Sequence, residues 1–292
     1  MQKISAVKVM IILMLVSFCC NPLGTQPRYG NQICPLSRYN MEIAENLMEI
    51  IQKKLDEVHK EGLDTSDIEA MVIEANELLR KAKIYNLQSH NCVTGNIYAI
   101  KAIKLLEKSL EMLESKLNAL RNEEYSVYAA LIDTGFSLIE GRYIRDEIQL
   151  IVIIDHTYGC EPDEDLNEVL EWVGQKMPLT EKETLDNFQL KNAESHPLGD
   201  YFNLTVEVVL VSIEEIREIF QEDNGWKEFY ATYPFSQGIM TLSRVGFNAE
   251  MDQALLYVED EWDDCIGSGH YILFTKENGV WTIQNWVRSW IY

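Results

Sequence analysis

The sequence predicts an α+β protein, in which an N-terminal three-helix antiparallel bundle precedes a mixed α+β domain that ends in an antiparallel four-stranded meander. Three observations predict this class. Residues 40–121 lack proline and repeat apolar side chains every three or four positions, as amphipathic helices do. Residues 124–292 instead contain short apolar runs and alternating segments, which are typical of strands. Asn278-Gly279 separates the last two alternating segments and favours a tight hairpin.

The chain begins with the pattern of an export signal. Two lysines precede an apolar run that is too short to span a bilayer. The run ends at two cysteines, and export signals that end in a cysteine resemble bacterial lipoprotein signals, in which that cysteine is lipidated. We therefore expect residues 1–20 to be an export signal, with Cys19 or Cys20 lipidated, and residues 21–36 to form a tether. Simple secretion and an uncleaved anchor remain alternatives.

Residues 37–123 are predicted to form the three helices. Each set of apolar side chains falls on one stripe, as a coiled-coil-like bundle requires. Ser66 and Glu69 form a capping box that starts the second helix, and Asn96 starts the third. Short loops predict an up, down and up arrangement. The apolar positions are Ala44, Leu47, Ile51, Leu55 and Val58, then Ile68, Val72, Ala75, Leu79 and Ala82, then Ile103, Leu106, Leu110, Leu113, Leu117 and Leu120.

Two cysteines stand at neighbouring helix ends in that arrangement. Cys34 lies just before the first helix, and Cys92 lies just before the third. Because cysteines of exported proteins commonly oxidise, we expect a Cys34–Cys92 disulfide to join these ends. Two free thiols are the alternative.

Residues 124–292 are predicted to form an acidic α+β domain. A helix from Tyr125 to Ile139 packs on it, and the apolar run Leu150–Asp155 is a buried strand. Leu204–Val211 alternates like a strand. The remaining predicted elements are helices at Leu166–Val173, Thr180–Asn192, Ile213–Gln221 and Trp226–Tyr233, and strands at Ile239–Phe247, Ala254–Val258, His270–Lys276 and Val280–Ser289.

The net charge of −22 comes almost wholly from residues 124–292. A field of that sign repels nucleic acid, so nucleic-acid binding is excluded as a function class. It also keeps the surface solvated and could attract a basic partner. A lipid anchor would supply contact with a membrane.

Two His/Cys pairs raise the possibility of a metal site. His156 and Cys160 are close in sequence, as are Cys265 and His270, and zinc accepts thiolate and imidazole ligands tetrahedrally. Free thiols and a Cys160–Cys265 disulfide are the alternatives, and we rank both above zinc. The acidic runs at 163–165 and 259–264 do not follow a calcium-loop pattern, and we interpret the second as a solvated strand connection. No cofactor is therefore expected.

Candidates for catalysis are few. Asp155, His156 and His270 are the candidate residues, but neighbours at a strand end point to opposite sides, so Asp155 and His156 would need distant partners. Ser243 lacks the sharp turn that exposes a hydrolase serine. Trp286 and Trp290 differ by an even number and are predicted to share a strand face, with Trp281 on the other. They are the candidates for ligand binding by aromatic stacking.

The C-terminal half resembles a family of exported bacterial proteins of unknown function. The residues that carry the likeness are GWKEFYATYPFSQGIMTLSRVGFN (225–248), QALLYV (253–258), CIGSGHYILF (265–274) and GVWTI (279–283). The resemblance extends back to about Tyr125. It implies an extracytoplasmic domain and no particular reaction. The chain departs from the family in carrying Cys265 alone in the loop before Gly267, and in having His270 where an aromatic residue is expected.

These observations favour an extracytoplasmic, lipid-anchored protein that binds a ligand or a protein partner rather than catalysing a reaction. One alternative is a hydrolase that uses residues near His156 and His270. Another is a structural component of the cell envelope that assembles through its helices.

Overall fold

The computed structural model describes residues 35–87, 91–134, 148–159, 166–221, 224–264 and 266–292. It confirms the α+β class and shows one mixed sheet. The helices are α1 (Pro35–Lys60), α2 (Ser66–Leu87), α3 (Cys92–Thr134), α4 (Leu166–Lys176), α5 (Lys182–Lys191), α6 (Ile213–Ile219) and α7 (Gly225–Thr232). The strands are β1 (Leu150–Ile154), β2 (Glu207–Val211), β3 (Ser236–Leu242), β4 (Gly246–Phe247), β5 (Gln253–Asp263), β6 (Ile266–Glu277) and β7 (Val280–Ile291).

Helices α1 and α2 pack with the first part of α3 around one buried cluster, which includes Ile51, Ile68 and Leu106. Polar contacts join neighbouring ends of these helices. Asn86 near the end of α2 donates to Ser37 at the start of α1 over 2.6 Å. Asn40 of α1 donates to Asn96 of α3 over 2.7 Å, so α1 and α3 begin side by side. Within the described residues, no helix combines the length and apolar composition that crossing a bilayer requires.

Helix α2 starts at Ser66, as predicted, whereas α3 starts at Cys92, four residues before the predicted Asn96. The residue before α2 is Thr65, whose hydroxyl donates to Glu69 over 2.6 Å, so Thr65 and not Ser66 is the partner of that glutamate. The residue before α3 is Asn91, whose side chain accepts from the Thr94 amide over 3.1 Å. Several adjacent residues at each start can cap a helix, and spacing alone does not choose among them.

Helix α3 is longer than predicted. The sequence predicted a separate helix beginning at Tyr125, but α3 runs unbroken for 43 residues across that position. No glycine or proline interrupts residues 96–134, so nothing in the backbone ends the helix earlier. Its last turns, with Tyr125, Tyr128 and Leu131, pack on the sheet. One helix therefore contacts both the cluster of α1 and α2 and the core of the sheet.

The sheet has the order β2-β1-β3-β5-β6-β7, and β4 pairs with β5. Strands β2, β1 and β3 are parallel, and β3, β5, β6 and β7 are antiparallel. One face, which we call the α3 face, carries Ile153, Leu242, Leu256 and Phe274 against α3. The other face is covered by α4 and α5 over β5 and β6, and by α6 and α7 over β1 to β3.

Two differences at the C-terminal strands have local causes. The predicted strand Ile239–Phe247 is two strands, β3 and β4, because residues 243–245 leave the ladder to contact α3 and α5. The acidic run 259–264 was interpreted as a connection between strands, but it lies mostly within β5. In β5, Asp260 is buried on the α3 face of the sheet. Glu261 lies on the opposite face, where burial raises its pKa. The connection is therefore shorter than the acidic run suggested.

Candidate functional site

A cleft of about 700 Å³ opens between the end of α1, the middle of α3 and residues 190–201, which lead from α5 towards β2. Its lining combines charges of both signs with aromatic and apolar side chains. The charged members are Lys53, Asp56, Glu57, Lys60, Glu61, Arg121, Glu124, Lys191, Glu194 and Arg244, and Tyr125, His196 and Tyr201 line it as well. This is where the described helices, the sheet and a long connection meet.

The floor of the cleft is a network of four charges, which we call the junction network: Glu61, Glu124, Lys191 and Arg244. Arg244 donates to Glu124 through Nε over 2.8 Å and through Nη2 over 3.1 Å. It also donates to Glu61 through Nη1 over 3.1 Å and through Nη2 over 2.9 Å. Lys191 Nζ lies 3.5 Å from Glu61 Oε2. Two glutamates and two cations leave the network without net charge.

The junction network is almost removed from water. The exposed fractions of the side chains are 1% for Lys191, 6% for Glu124, 12% for Arg244 and 14% for Glu61. Burial by itself raises the pKa of Glu124, but the charges of Arg244 and Lys191 outweigh it, and the pKa is lowered. Burial lowers the pKa of Lys191, an effect that Glu124 and Glu61 offset in part. The opposite charges of the network thus compensate one another in a site that is shielded from water.

The segment between β3 and β4 positions Arg244. The side chain of Asn192 accepts from the Arg244 amide over 2.8 Å and donates to the Arg244 carbonyl over 3.1 Å. The next amide, of Val245, donates to Glu124 over 2.9 Å. One residue further, Gly246 lies so close to α5 that a Cβ atom would meet Phe188 at 2.5 Å. This contact sets α5, and with it Lys191, against the strand segment.

An aromatic wall fixes the long connection on α3. The hydroxyl of Tyr125 donates to the Gly199 carbonyl over 2.9 Å and accepts from the Gly199 amide over 2.8 Å. The ring of Tyr201 meets Tyr125 edge to face at 5.4 Å. The guanidinium of Arg121 lies 4.9 Å from the centroid of the Tyr201 ring, a cation–π arrangement. The wall therefore combines a rigid aromatic surface with a cation at its rim.

The arrangement suits recognition better than chemistry. The buried ions already bond one another, so they act as a rigid polar floor and not as an acid or a base. Lys53, Lys60, Glu57 and Glu194 are exposed around the rim and can meet a ligand that carries both signs of charge. Binding of such a ligand at the rim would leave the ion pairs of the junction network in place.

No family model matches the chain, and neither a curated protein nor a solved structure matches it.

The candidate pair Asp155 and His156 lies outside this cleft floor, at the end of β1. Contrary to the prediction, the two side chains meet: Nδ1 of His156 lies 2.7 Å from Oδ1 of Asp155. Strand β1 ends at Ile154, so the alternation that would separate neighbouring side chains no longer applies. His156 is 55% exposed. A histidine that is oriented by an aspartate is thus present at the surface.

The two histidines of the zinc alternative are not brought together. Strands β3 and β5 lie between β1, which precedes His156, and β6, which contains His270. Three strand spacings separate them by about 14 Å, too far for one zinc ion. Cys160 and Cys265 lie outside the described residues, as do Cys19, Cys20 and Cys34 and the acids 163–165. In the part of the chain that the structure describes, no three His, Cys, Asp or Glu side chains are grouped to hold a metal ion.

His270 is a buried residue of the α3 face. It pairs with Val258 and Arg288 across the sheet, and its ring meets Trp286 edge to face at 5.4 Å. Burial lowers the pKa of His270 to about 4. The imidazole is therefore neutral at pH 7, where it acts as a packed aromatic side chain.

His270 should make stability depend on pH. Its folded pKa of about 4 lies below the ordinary 6.5, so between these values the unfolded chain binds more protons. Stability is therefore lost as the pH falls from 6.5 towards 4. Urea unfolding at pH 7 and pH 4.5 should show the wild type losing about 2 kcal/mol more than His270→Phe. An equal loss of stability in the wild type and in His270→Phe would show that His270 is not the source of this pH dependence.

Trp286 and Trp290 do not share a face. Pairing of β7 with β6 shifts between Leu273 and Phe274 and again between Gly269 and His270, which adds a residue to β7 each time. Trp286 therefore packs on the α3 face with Trp281. Trp290 lies on the other face, where Nε1 donates to the Tyr257 hydroxyl over 2.9 Å. The predicted aromatic strip is interrupted by these bulges, which parity counting does not register.

Sequence reasoning missed the junction network. Arg244 stands in the run TLSRVGF, where the neighbours are apolar and the segment was expected to be buried. A charge in such a run needs a buried partner, and this signal was available. Glu124 and Lys191 gave no comparable signal, because each follows an ordinary polar stretch of helix. Which acid meets Arg244 depends on packing between elements far apart in the chain.

Proposed function

We propose that the chain is an exported, lipid-anchored binding protein. Residues 1–20 serve as the export signal with Cys19 or Cys20 as the lipidated residue, and residues 21–36 form a tether. A three-helix bundle over residues 37–123 then carries the acidic α+β domain, residues 124–292. The resemblance of that domain to exported bacterial proteins supports this location.

The observation that supports binding is the cleft above the junction network. Its volume of about 700 Å³ suits a small molecule or a short peptide. Two carboxylates, Asp56 and Glu57, stand between the cations Lys53 and Lys60 along α1 at its rim. A zwitterion matches such a rim because its carboxylate and its ammonium group each find an opposite charge.

We therefore propose a short peptide-like zwitterion as the ligand class. Its carboxylate would lie towards Lys60 and Arg121, and its ammonium group towards Glu57 and Glu194. The ring of Tyr201 would contact the body of the ligand. The junction network would hold these groups in place without itself changing partners.

Titration calorimetry of the full-length chain with trialanine tests this proposal. From the usual ceiling for ligands of this size we expect a Kd of about 100 μM. Trialanine blocked by acetylation and amidation keeps the shape and loses both charges, so it should bind about tenfold more weakly. A Lys60→Ala/Arg121→Ala variant should show the same loss for the unblocked peptide.

The matched control is Arg80→Ala/Lys83→Ala, which removes two exposed cations of α2 away from the cleft. It should bind trialanine as the wild type does. Equal binding of blocked and unblocked peptide would contradict a zwitterion site, and so would wild-type affinity in the Lys60/Arg121 variant.

A disulfide between Cys34 and Cys92 belongs to the same proposal. Cys92 is the first residue of α3, and the Asn40–Asn96 hydrogen bond of 2.7 Å supports closeness of the ends of α1 and α3. In an oxidising compartment such a bridge would close the helices where the tether enters.

A hydrolase is the second candidate function, and one observation favours it. The 2.7 Å contact between Asp155 and His156 is the orienting half of a catalytic triad. A hydrolase reaction requires a nucleophile near the other ring nitrogen of His156. Loss of any measured ester hydrolysis in His156→Gln, with binding of trialanine unchanged, would favour this candidate over binding alone.

A further inference from the structure

Five large apolar side chains are exposed together where α1 and α3 begin. We call them the apolar tip: Leu36, Tyr39, Val93, Ile97 and Ile100. Their exposed fractions are 48%, 49%, 72%, 48% and 38%. They are spaced by three or four residues within each helix, so each helix presents them on one side. They are not part of the buried cluster that joins α1, α2 and α3.

The two halves of the apolar tip belong to neighbouring helix ends. Asn40 of α1 and Asn96 of α3 share a hydrogen bond of 2.7 Å, and each lies one residue from a member of the tip. Contiguous exposed apolar surface of this kind marks a docking site for a protein or a membrane, because water contact with it is unfavourable.

The position of the tip in the chain favours a membrane. Residues 21–34 connect the proposed lipidated cysteine to the start of α1 at Pro35. Fourteen residues span at most about 50 Å even when fully extended. A lipidated chain therefore holds the apolar tip close to the bilayer, and this step rests on the proposed lipid anchor.

Positive charge near the apolar tip also favours a membrane as the partner. Lys101, Lys104 and Lys108 are exposed on α3, continuing the side of the helix that carries Ile97 and Ile100. The acidity of the chain lies mainly beyond residue 123, so it does not oppose an anionic surface at this end. Lysines beside exposed apolar residues are the pattern by which helices contact anionic headgroups.

We infer that the apolar tip lies in the interfacial region of an anionic bilayer and forms a second membrane contact beside the lipid. Helix α1 rises about 1.5 Å per residue, so Lys60 at the rim of the cleft lies about 36 Å along the helix axis from Leu36.

Vesicle sedimentation tests the inference without the lipid. The chain from Asn21 to Tyr292 lacks both lipidation candidates but keeps every described residue, and all four buried clusters lie after residue 40. It should sediment with vesicles of phosphatidylglycerol and phosphatidylcholine. Val93→Asp/Ile97→Asp should lower the bound fraction about tenfold. The control Ile73→Asp/Leu179→Asp adds the same two negative charges at two other exposed apolar residues. It should bind the vesicles as the wild type does.

Three results would overturn the inference: no sedimentation of the wild type, an equal loss in the Ile73/Leu179 control, or a wild-type dimer that only the tip variant dissociates. The last would assign the surface to a second copy and favour assembly through the helices. None of them bears on acylation or trialanine binding, so the proposed function can stand if this inference fails. Membrane fractionation of the acylated full chain tests the anchor separately.

Discussion

Arg244→Leu is expected to lower the free energy of unfolding by about 3–5 kcal/mol, because it leaves buried carboxylates without their cation. Arg244 makes two hydrogen bonds to Glu124 and two to Glu61. Lys191 would be the one cation left in the junction network, and a single ammonium group cannot balance two buried carboxylates. Urea unfolding at pH 7, followed by the fluorescence of the tryptophans in the α+β region, measures the loss.

A double-mutant cycle separates the ion pair from lost packing. The double variant Glu124→Gln/Arg244→Leu also removes one of the carboxylates that Arg244→Leu leaves without a cation. Its free energy of unfolding should therefore be about 1–3 kcal/mol higher than that of Arg244→Leu. Arg80→Ala breaks an exposed pair with Glu77 and should change stability by less than about 0.5 kcal/mol. If Arg244→Leu costs no more than Arg80→Ala, the junction network does not hold the helices against the sheet.

Gly246→Ala is expected to cost about 2–4 kcal/mol and to weaken ligand binding in the cleft. Its Cβ would lie 2.6 Å from both the backbone nitrogen and the Cα of Phe188, and backbone of a helix cannot move aside like a flexible side chain. Helix α5 must shift, which carries Lys191 away from Glu61. Thermal unfolding and trialanine titration of the same variant should therefore change together.

Gly174→Ala is the matched control, since it makes the same substitution within α4. There the added Cβ would lie 3.5 Å from a methyl group of Leu185, an ordinary contact. Alanine favours helix over glycine, so we expect stability to rise by about 0.5–1 kcal/mol with unchanged binding. A destabilisation of Gly174→Ala equal to that of Gly246→Ala would mean that close approach at Phe188 is not the cause.

The elements themselves were largely predictable because their signals are local. The stripe from Ile103 to Leu120 and the Asn278-Gly279 turn each specify one conformation over a few residues. The helix boundary expected near Tyr125 was wrong because a change in packing partner leaves no mark on helix propensity. The shared face of Trp286 and Trp290 was wrong because β-bulges change strand parity without a clear sequence signal.

The candidate site was less predictable because it depends on distant pairings. Glu61, Glu124 and Arg244 are separated by up to 183 positions in the chain, and only the packed sheet brings them together. The parallel pairing of β1 with β2 and β3 is likewise set by tertiary packing. Asp155 and His156 were identified from their adjacency, but their contact depends on where β1 ends.

Amide hydrogen exchange of the full-length chain, with and without saturating trialanine, tests the central claim most directly. The account predicts slower exchange in residues 190–201, at the end of α1 and around Arg121 of α3, where the cleft is lined. Protection confined to β7, or to the segment around Asp155 and His156, would place the ligand elsewhere and contradict the account.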